Sequence, residues 1–233
     1  MSTKLKIAAA VAAAVLLSAC SSPKHEPMPL VNFTPSMEVT EVWSKGLSSA
    51  EGFLVPAVYD DMVFAAGGKT LTRLNARTGE TEWSVSFDSP ITGGVGSDGY
   101  VTAVGLWDGN LEVVDAEGKV SWEKKLTTEL ASPPVVSHGL VIARTMDTRV
   151  SAFEASSGEL QWTYQKSQPA LTVRLPTRML AHDNFLLVGQ PNGHIVILDI
   201  ASGKPMFEFQ VAQAKGVTEV ERLVDVVGAP AFS

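Results

Sequence analysis

Four stretches decide the fold: residues 71–83 (LTRLNARTGETEW), 111–122 (LEVVDAEGKVSW), 150–162 (VSAFEASSGELQW) and 195–207 (IVILDIASGKPMF). Each is an alternating segment, a polar turn carrying a glycine, and a second segment that opens on an aromatic residue. The glycines Gly79, Gly118, Gly158 and Gly203 are spaced by 39, 40 and 45 residues, and Trp83, Trp122, Trp162 and Phe207 keep the same intervals. Alternation with period two turns one face of each segment to a core, and glycine supplies the positive φ that a tight turn demands. Upstream of each stretch runs a proline-led strand, a turn and a valine-rich strand, over residues 56–66, 90–105, 134–145 and 176–189.

Four strands in about forty residues is the period of a propeller blade. No sustained 3.6-residue apolar periodicity occurs beyond the first twenty residues. The expected fold is therefore all-β: a partial β-propeller of four-stranded antiparallel blades over residues 39–233. The blades fall at about 53–88, 90–128, 132–166 and 176–211, followed by a long loop and, at Pro230-Ala231-Phe232, the start of a fifth. Val42-Trp43-Ser44 reads as a lone strand that completes a closing blade.

Composition narrows the function. The chain has 233 residues, 18 Lys and Arg against 25 Asp and Glu, a formal charge of −7, 45% hydrophobic residues and one cysteine. The apolar content excludes a disordered chain, and an acidic balance with no basic block excludes a nucleic-acid binder. A single cysteine forms no internal disulfide. His25, His138, His182 and His194 are isolated from one another and from the cysteine, so no metal-ligand spacing is present.

Residues 1–19 have the form of an export signal, with Lys4 and Lys6 ahead of eleven apolar residues, Ile7 to Leu17. Eleven residues make about 16 Å of helix, too short for a hydrocarbon core of about 30 Å. Leu17-Ser18-Ala19-Cys20 resembles the lipobox of bacterial lipoproteins. That resemblance implies lipidation of Cys20 and, with Ser21 after it, retention at the outer membrane. Residues 20–38 are polar and proline-rich and read as a tether reaching at most about 60 Å.

Catalytic motifs are sparse. Gly68-Lys69-Thr70 ends like a phosphate-binding loop, but Val63 stands where its first glycine belongs, so a hairpin turn is the better reading. Gly93-Gly94-Val95-Gly96 leads into a strand, without the helix N-terminus that binds phosphate. Asp60, Asp61, Asp147, Asp183 and Asp199 are scattered carboxylates, and Asp115 and Asp199 sit just before repeat glycines, where aspartate favours turns. Ala76, Gly79 and Trp83 resemble the docking repeat of quinoprotein-type propellers, which implies that each aromatic packs on the neighbouring blade's turn. Quinoprotein dehydrogenases use a quinone, calcium, a catalytic aspartate and typically two adjacent cysteines; here the sole cysteine is Cys20. The expectation is no enzyme, no cofactor and no metal.

The connections between blades lengthen along the chain. From aromatic to next proline they span 7 residues (Trp83–Pro90), 11 (Trp122–Pro133), 14 (Trp162–Pro176) and 23 (Phe207–Pro230). Long connections on one face are where function concentrates. One holds Leu171-Thr172-Val173-Arg174-Leu175, and the next Thr218-Glu219-Val220-Glu221-Arg222-Leu223-Val224-Asp225-Val226-Val227. Apolar residues flanking Arg174 and Arg222 point to a protein contact; the alternative is packing on the loops' own blades.

Over its whole length, and most specifically in residues 132–141 (SPPVVSHGLV) and 218–226 (TEVERLVDV), the chain resembles the BamB family of outer-membrane protein assembly factors. The resemblance implies an eight-bladed, non-catalytic propeller, lipid-anchored at the periplasmic face of the outer membrane. It also implies a partner, the periplasmic repeats of the barrel subunit of the assembly machinery. The family's contact stretch, apolar–x–apolar–Arg, carries over onto Leu171, Val173 and Arg174. Its Asp-x-Asp stretch carries over onto Asp225 alone, because Val227 occupies the second position. Eight blades of about forty residues need about 320 residues, so the expectation is a C-terminally truncated sequence. Two alternatives stand: a quinone-dependent dehydrogenase and a lipoprotein propeller that binds peptides or glycans.

Overall fold

The computed structural model describes residues 37–49, 54–167, 171–172, 177–218, 220–226 and 228. The chain divides into Met1–Thr40, of which only four exposed residues are described, and Glu41–Ser233, which holds every described strand. Among the described residues there is no helix, and so none long and apolar enough to cross a membrane.

Four antiparallel meanders follow one another. The first is β1 (Ala57–Tyr59), β2 (Met62–Gly67), β3 (Thr70–Asn75) and β4 (Thr81–Ser86); the second is β5 (Ile91–Ser97), β6 (Thr102–Leu106), β7 (Asn110–Val114) and β8 (Val120–Lys125). The third is β9 (Val135–Ser137), β10 (Leu140–Arg144), β11 (Val150–Glu154) and β12 (Leu160–Tyr164); the fourth is β13 (Leu180–His182), β14 (Phe185–Gly189), β15 (His194–Asp199) and β16 (Pro205–Gln210). Each sheet pairs only consecutive strands, the connectivity of a propeller blade. The third and fourth strands of every sheet slip register at one equivalent place, at Arg73/Leu74, Val113/Val114, Ala152/Phe153 and Ile197/Leu198. Repetition of a bulge at the same step marks it as part of the blade's design.

The core lies between sheets. Phe64 and Leu71 of the first sheet pack with Ile91 and Val104 of the second. Leu111 and Val113 meet Val141 and Phe153 of the third, and Ile142 and Trp162 meet Leu186 and Leu198 of the fourth. The middle strands β6 and β10 are therefore buried on both faces and read as largely apolar runs, TAVGL and LVIAR, the latter closed by Arg144. The outer strands β4 and β8 alternate between half-buried and exposed.

The repeated aromatics fasten one sheet to the next. Trp83 Nε1 donates to Ala116 O, Trp122 Nε1 to Ala155 O and Trp162 Nε1 to Ile200 O, each at 2.8 Å. Each ring lies over the turn glycine of that next sheet. A Cβ at Gly118, Gly158 or Gly203 would stand 2.7, 2.7 and 2.4 Å from the ring of Trp83, Trp122 and Trp162, and all three glycines have φ between +67° and +81°. Trp43 does the same to the first sheet, donating to Ala76 O at 2.9 Å over Gly79. It does so without belonging to a strand, a departure from the lone strand expected at 42–44, because no described strand lies beside it to supply a ladder. Phe207 has no ring N–H to donate and is 62% exposed, on a strand exposed throughout.

Gly158→Ala is expected to lower stability by about 1–3 kcal/mol, since the new Cβ meets the indole and the φ is unfavourable. Trp122→Phe, which chiefly removes one hydrogen bond, is expected to cost about 1 kcal/mol. Thermal unfolding of both variants checks the order; a Gly158→Ala protein as stable as the parent contradicts it.

Candidate functional site

In a meander whose strands alternate in direction, the turn between the second and third strands lies at the same end as the connection to the next sheet. The backbone bonds show this. Ile91 N donates to Gly68 O (2.8 Å), Leu126 N to Gly109 O (3.0 Å) and Met146 N to Glu129 O (3.0 Å). The long connections therefore share a face with the β2–β3, β6–β7, β10–β11 and β14–β15 turns.

Both loops reach a single cavity of about 30 Å³ on that face, lined by Arg144, Thr148, Thr172, Thr177, Asp225 and Val226 among others. Thr177 Oγ1 donates to Val226 O at 3.0 Å, and Val226 N donates to Gln190 O at 3.3 Å, so the second loop folds back onto the fourth sheet. Ahead of that point the loop makes a tight turn. Glu221 Oε2 accepts from Val217 N (2.9 Å) and Thr218 N (3.0 Å), bonds that hold its carboxyl below the ordinary range.

The residues expected at the partner contact are placed as follows. Leu171 is 41% exposed, and its neighbour Thr172 lines the cavity with Asp225, which is half-buried. Arg222 is exposed on the turn after Thr218, its N–H donating to Thr218 O at 3.2 Å. Val173, Arg174 and Cys20 lie outside the described residues. The structure thus brings the Leu171 and Asp225 segments together, while Arg222 stands on the turn that leads there.

Three residues escaped the sequence reading. Arg144 ends the buried strand β10 and is only 4% exposed; burial lowers its pKa to about 10, an effect the facing Asp225 carboxylate only partly offsets. Thr148 holds the positive φ of its turn, at 63°. Trp107, on the β6–β7 turn of the same face, is the one tryptophan of five outside a docking position and is 62% exposed. Each left a signal: a cation closing an apolar run, a threonine in a turn slot otherwise filled by glycine, and a tryptophan out of phase with the repeat.

The chain's sequence and fold have close parallels. A family model described as outer membrane protein assembly factor BamB matches residues 67–233. The chain belongs to the BamB family. The BamB of Burkholderia pseudomallei is 39% identical over 228 residues, which cover 95% of this chain and 60% of that protein. The crystal structure of BamB from Moraxella catarrhalis superposes with a TM-score of 0.69 at 28% identity, over 77% of this chain and 55% of that one. The chain spans about six-tenths of the length of such BamB relatives. A quinohemoprotein alcohol dehydrogenase from Comamonas testosteroni has a TM-score of 0.54 at 20% identity, over 70% of this chain and 35% of that one, which shows a shared propeller fold alone.

Perturbed carboxyls are where catalysis is sought first. Glu112 on β7, only 8% exposed, is raised to about 7 by burial and then by Glu123, its cross-strand partner on β8, with Asp108 and Asp88 adding further negative charge. The cause is burial first, with like charges on the neighbouring strand and connections adding to it. Among the described residues no cluster of His, Cys, Asp and Glu has the arrangement to hold a metal ion.

Because the folded protein keeps this proton up to about pH 7 while the unfolded carboxyl loses it near 4.5, stability falls as pH rises through that window. Glu112→Gln is expected to match the parent at pH 4.5 and to exceed it at pH 8, by at most about 3 kcal/mol. Denaturant titrations at the two pH values check this, and an equal difference at both contradicts it.

Proposed function

We propose that this chain acts as a non-catalytic scaffold in outer-membrane protein assembly, docking the periplasmic repeats of the machinery's barrel subunit with the face that carries the long connections. The observation that carries the reading is membership of the BamB family, matched over residues 67–233 and supported by relatives named as assembly factors. The convergence of Thr172, beside Leu171, and Asp225 on one cavity supports the choice of face. In this reading Leu171 and Val173 are apolar anchors. Arg174 pairs with an acidic residue across the interface, and Arg222 and Asp225 set specificity and on-rate from the rim.

Residues 1–19 are the export signal, Cys20 carries the acyl chains and residues 20–38 tether the propeller at the periplasmic face of the outer membrane. Several acyl chains on one cysteine give stable anchoring where one would not. The likeness to a quinohemoprotein dehydrogenase supports no second reading, since it extends to the fold alone.

Capture of the purified periplasmic repeats by immobilised chain tests the contact. Arg174→Glu and Leu171→Ala are each expected to weaken capture about 10-fold, or about 1.4 kcal/mol, with unchanged thermal unfolding. Undiminished capture by both variants contradicts the assignment. For the anchor, Cys20→Ser is expected to move the protein from the membrane fraction to the soluble periplasmic fraction, and continued membrane retention contradicts it.

A further inference from the structure

Blade three is unlike its neighbours at the turn that floors the cavity. The turns joining second to third strands take their positive φ at glycine in the other three sheets: Gly68 at 56°, Gly109 at 84° and Gly193 at 77°, the last beside Asn192 at 94°. In the third sheet Thr148 takes it, at 63°. A β-branched residue in the left-handed region is strained, and such strain persists where the surroundings hold it and clusters at functional sites. Thr148 lines the cavity.

Arg144 lines the same cavity. The residue is only 4% exposed, and its Nε and Nη1 atoms have no hydrogen-bond partner among the described residues. A buried guanidinium in that condition is costly unless something supplies acceptors. Among the described residues, two carboxylates lie near it. Asp225 faces it across the cavity. Asp147 is occupied within the turn, accepting from Thr145 Oγ1, from Thr127 Oγ1 at 3.1 Å and from Arg149 N at 3.4 Å, with the Arg149 guanidinium 3.8 Å away. One facing carboxylate therefore does not satisfy Arg144.

We propose that the Arg144–Thr148 cavity is a receptor site for an acidic side chain, a glutamate or aspartate of the protein that docks on this face. A carboxylate matches a guanidinium in charge and geometry, and the recess beside Arg144 is small, about 30 Å³. The site borders the Leu171 and Asp225 segments, so the docked side chain fixes the register of the contact that those loops begin. The inference rests on the functional reading above only for the identity of the docking protein.

The test uses the full ¹⁵N-labelled chain and follows the Arg144 Nε–Hε resonance during titration with N-acetyl-glutamate amide, with N-acetyl-glutamine amide as control. The resonance is expected to shift saturably with the glutamate compound and not with the glutamine one. Thr148→Gly relieves the strained φ, so it is expected to raise the thermal midpoint while weakening glutamate binding at least about 3-fold; Arg144→Gln is expected to abolish binding. The inference is overturned if the Arg144 resonance does not move, if both compounds move it equally, or if Thr148→Gly binds as the parent does. Leu171-dependent capture of the barrel subunit's repeats together with an unmoved Arg144 signal would sink this site and leave the functional reading standing. A glutamate-specific shift without any capture would support the site and sink that reading.

Discussion

An indole laid over a glycine is the contact on which the rest of the structure depends. Each docking tryptophan spans the boundary between two sheets that share no ladder hydrogen bond, placing its N–H on a turn carbonyl and its ring on a turn with no Cβ. Apolar burial holds adjacent sheets face to face without direction. The indole adds direction, because one hydrogen bond and one close-packed glycine fix the sliding position of each blade. The glycine is required twice over, by its positive φ and by the space the ring occupies.

Fixing the blades fixes what their ends present. Turns and connections at one end are held in register by backbone bonds between neighbouring segments, such as Met146 N to Glu129 O and Val226 N to Gln190 O. That register brings residues 144, 148, 172 and 225, drawn from three separate parts of the chain, around one recess. The recess carries features the scaffold does not need. A strained threonine replaces a glycine, and a buried arginine lacks acceptors, which is the pattern expected where structure has been spent on recognition.

The scaffold was legible in the sequence because its governing contact recurs. Four glycine–aromatic pairs at near-constant spacing reveal the blade, and the turn preference of Asp115 and Asp199 is visible as their Oδ1 atoms accepting backbone N–H groups of the same turns. The spacing places Trp43 on a strand, whereas it docks from a segment without a ladder: the docking needs only the indole, and a strand needs a partner. The cavity was not legible, because it is assembled across sheets from turns of unequal length. Thr148 is marked in the sequence only by a missing turn glycine, and its positive φ is a property of the fold. Family resemblance and loop length mark Leu171 and Asp225, whereas the burial of Arg144 in the cavity beside their segments is a property of the fold.

The central claim is that the docked blades expose one working face, made of the long connections and the turns beside them. Hydrogen exchange of the chain, free and bound to the barrel subunit's periplasmic repeats, tests it most directly. The account predicts new protection in the turns at residues 107–109 and 145–149 and in the segment 217–226, with the opposite-end turns at 60–61, 98–101, 138–139 and 183–184 unchanged. Protection confined to that opposite end would contradict it.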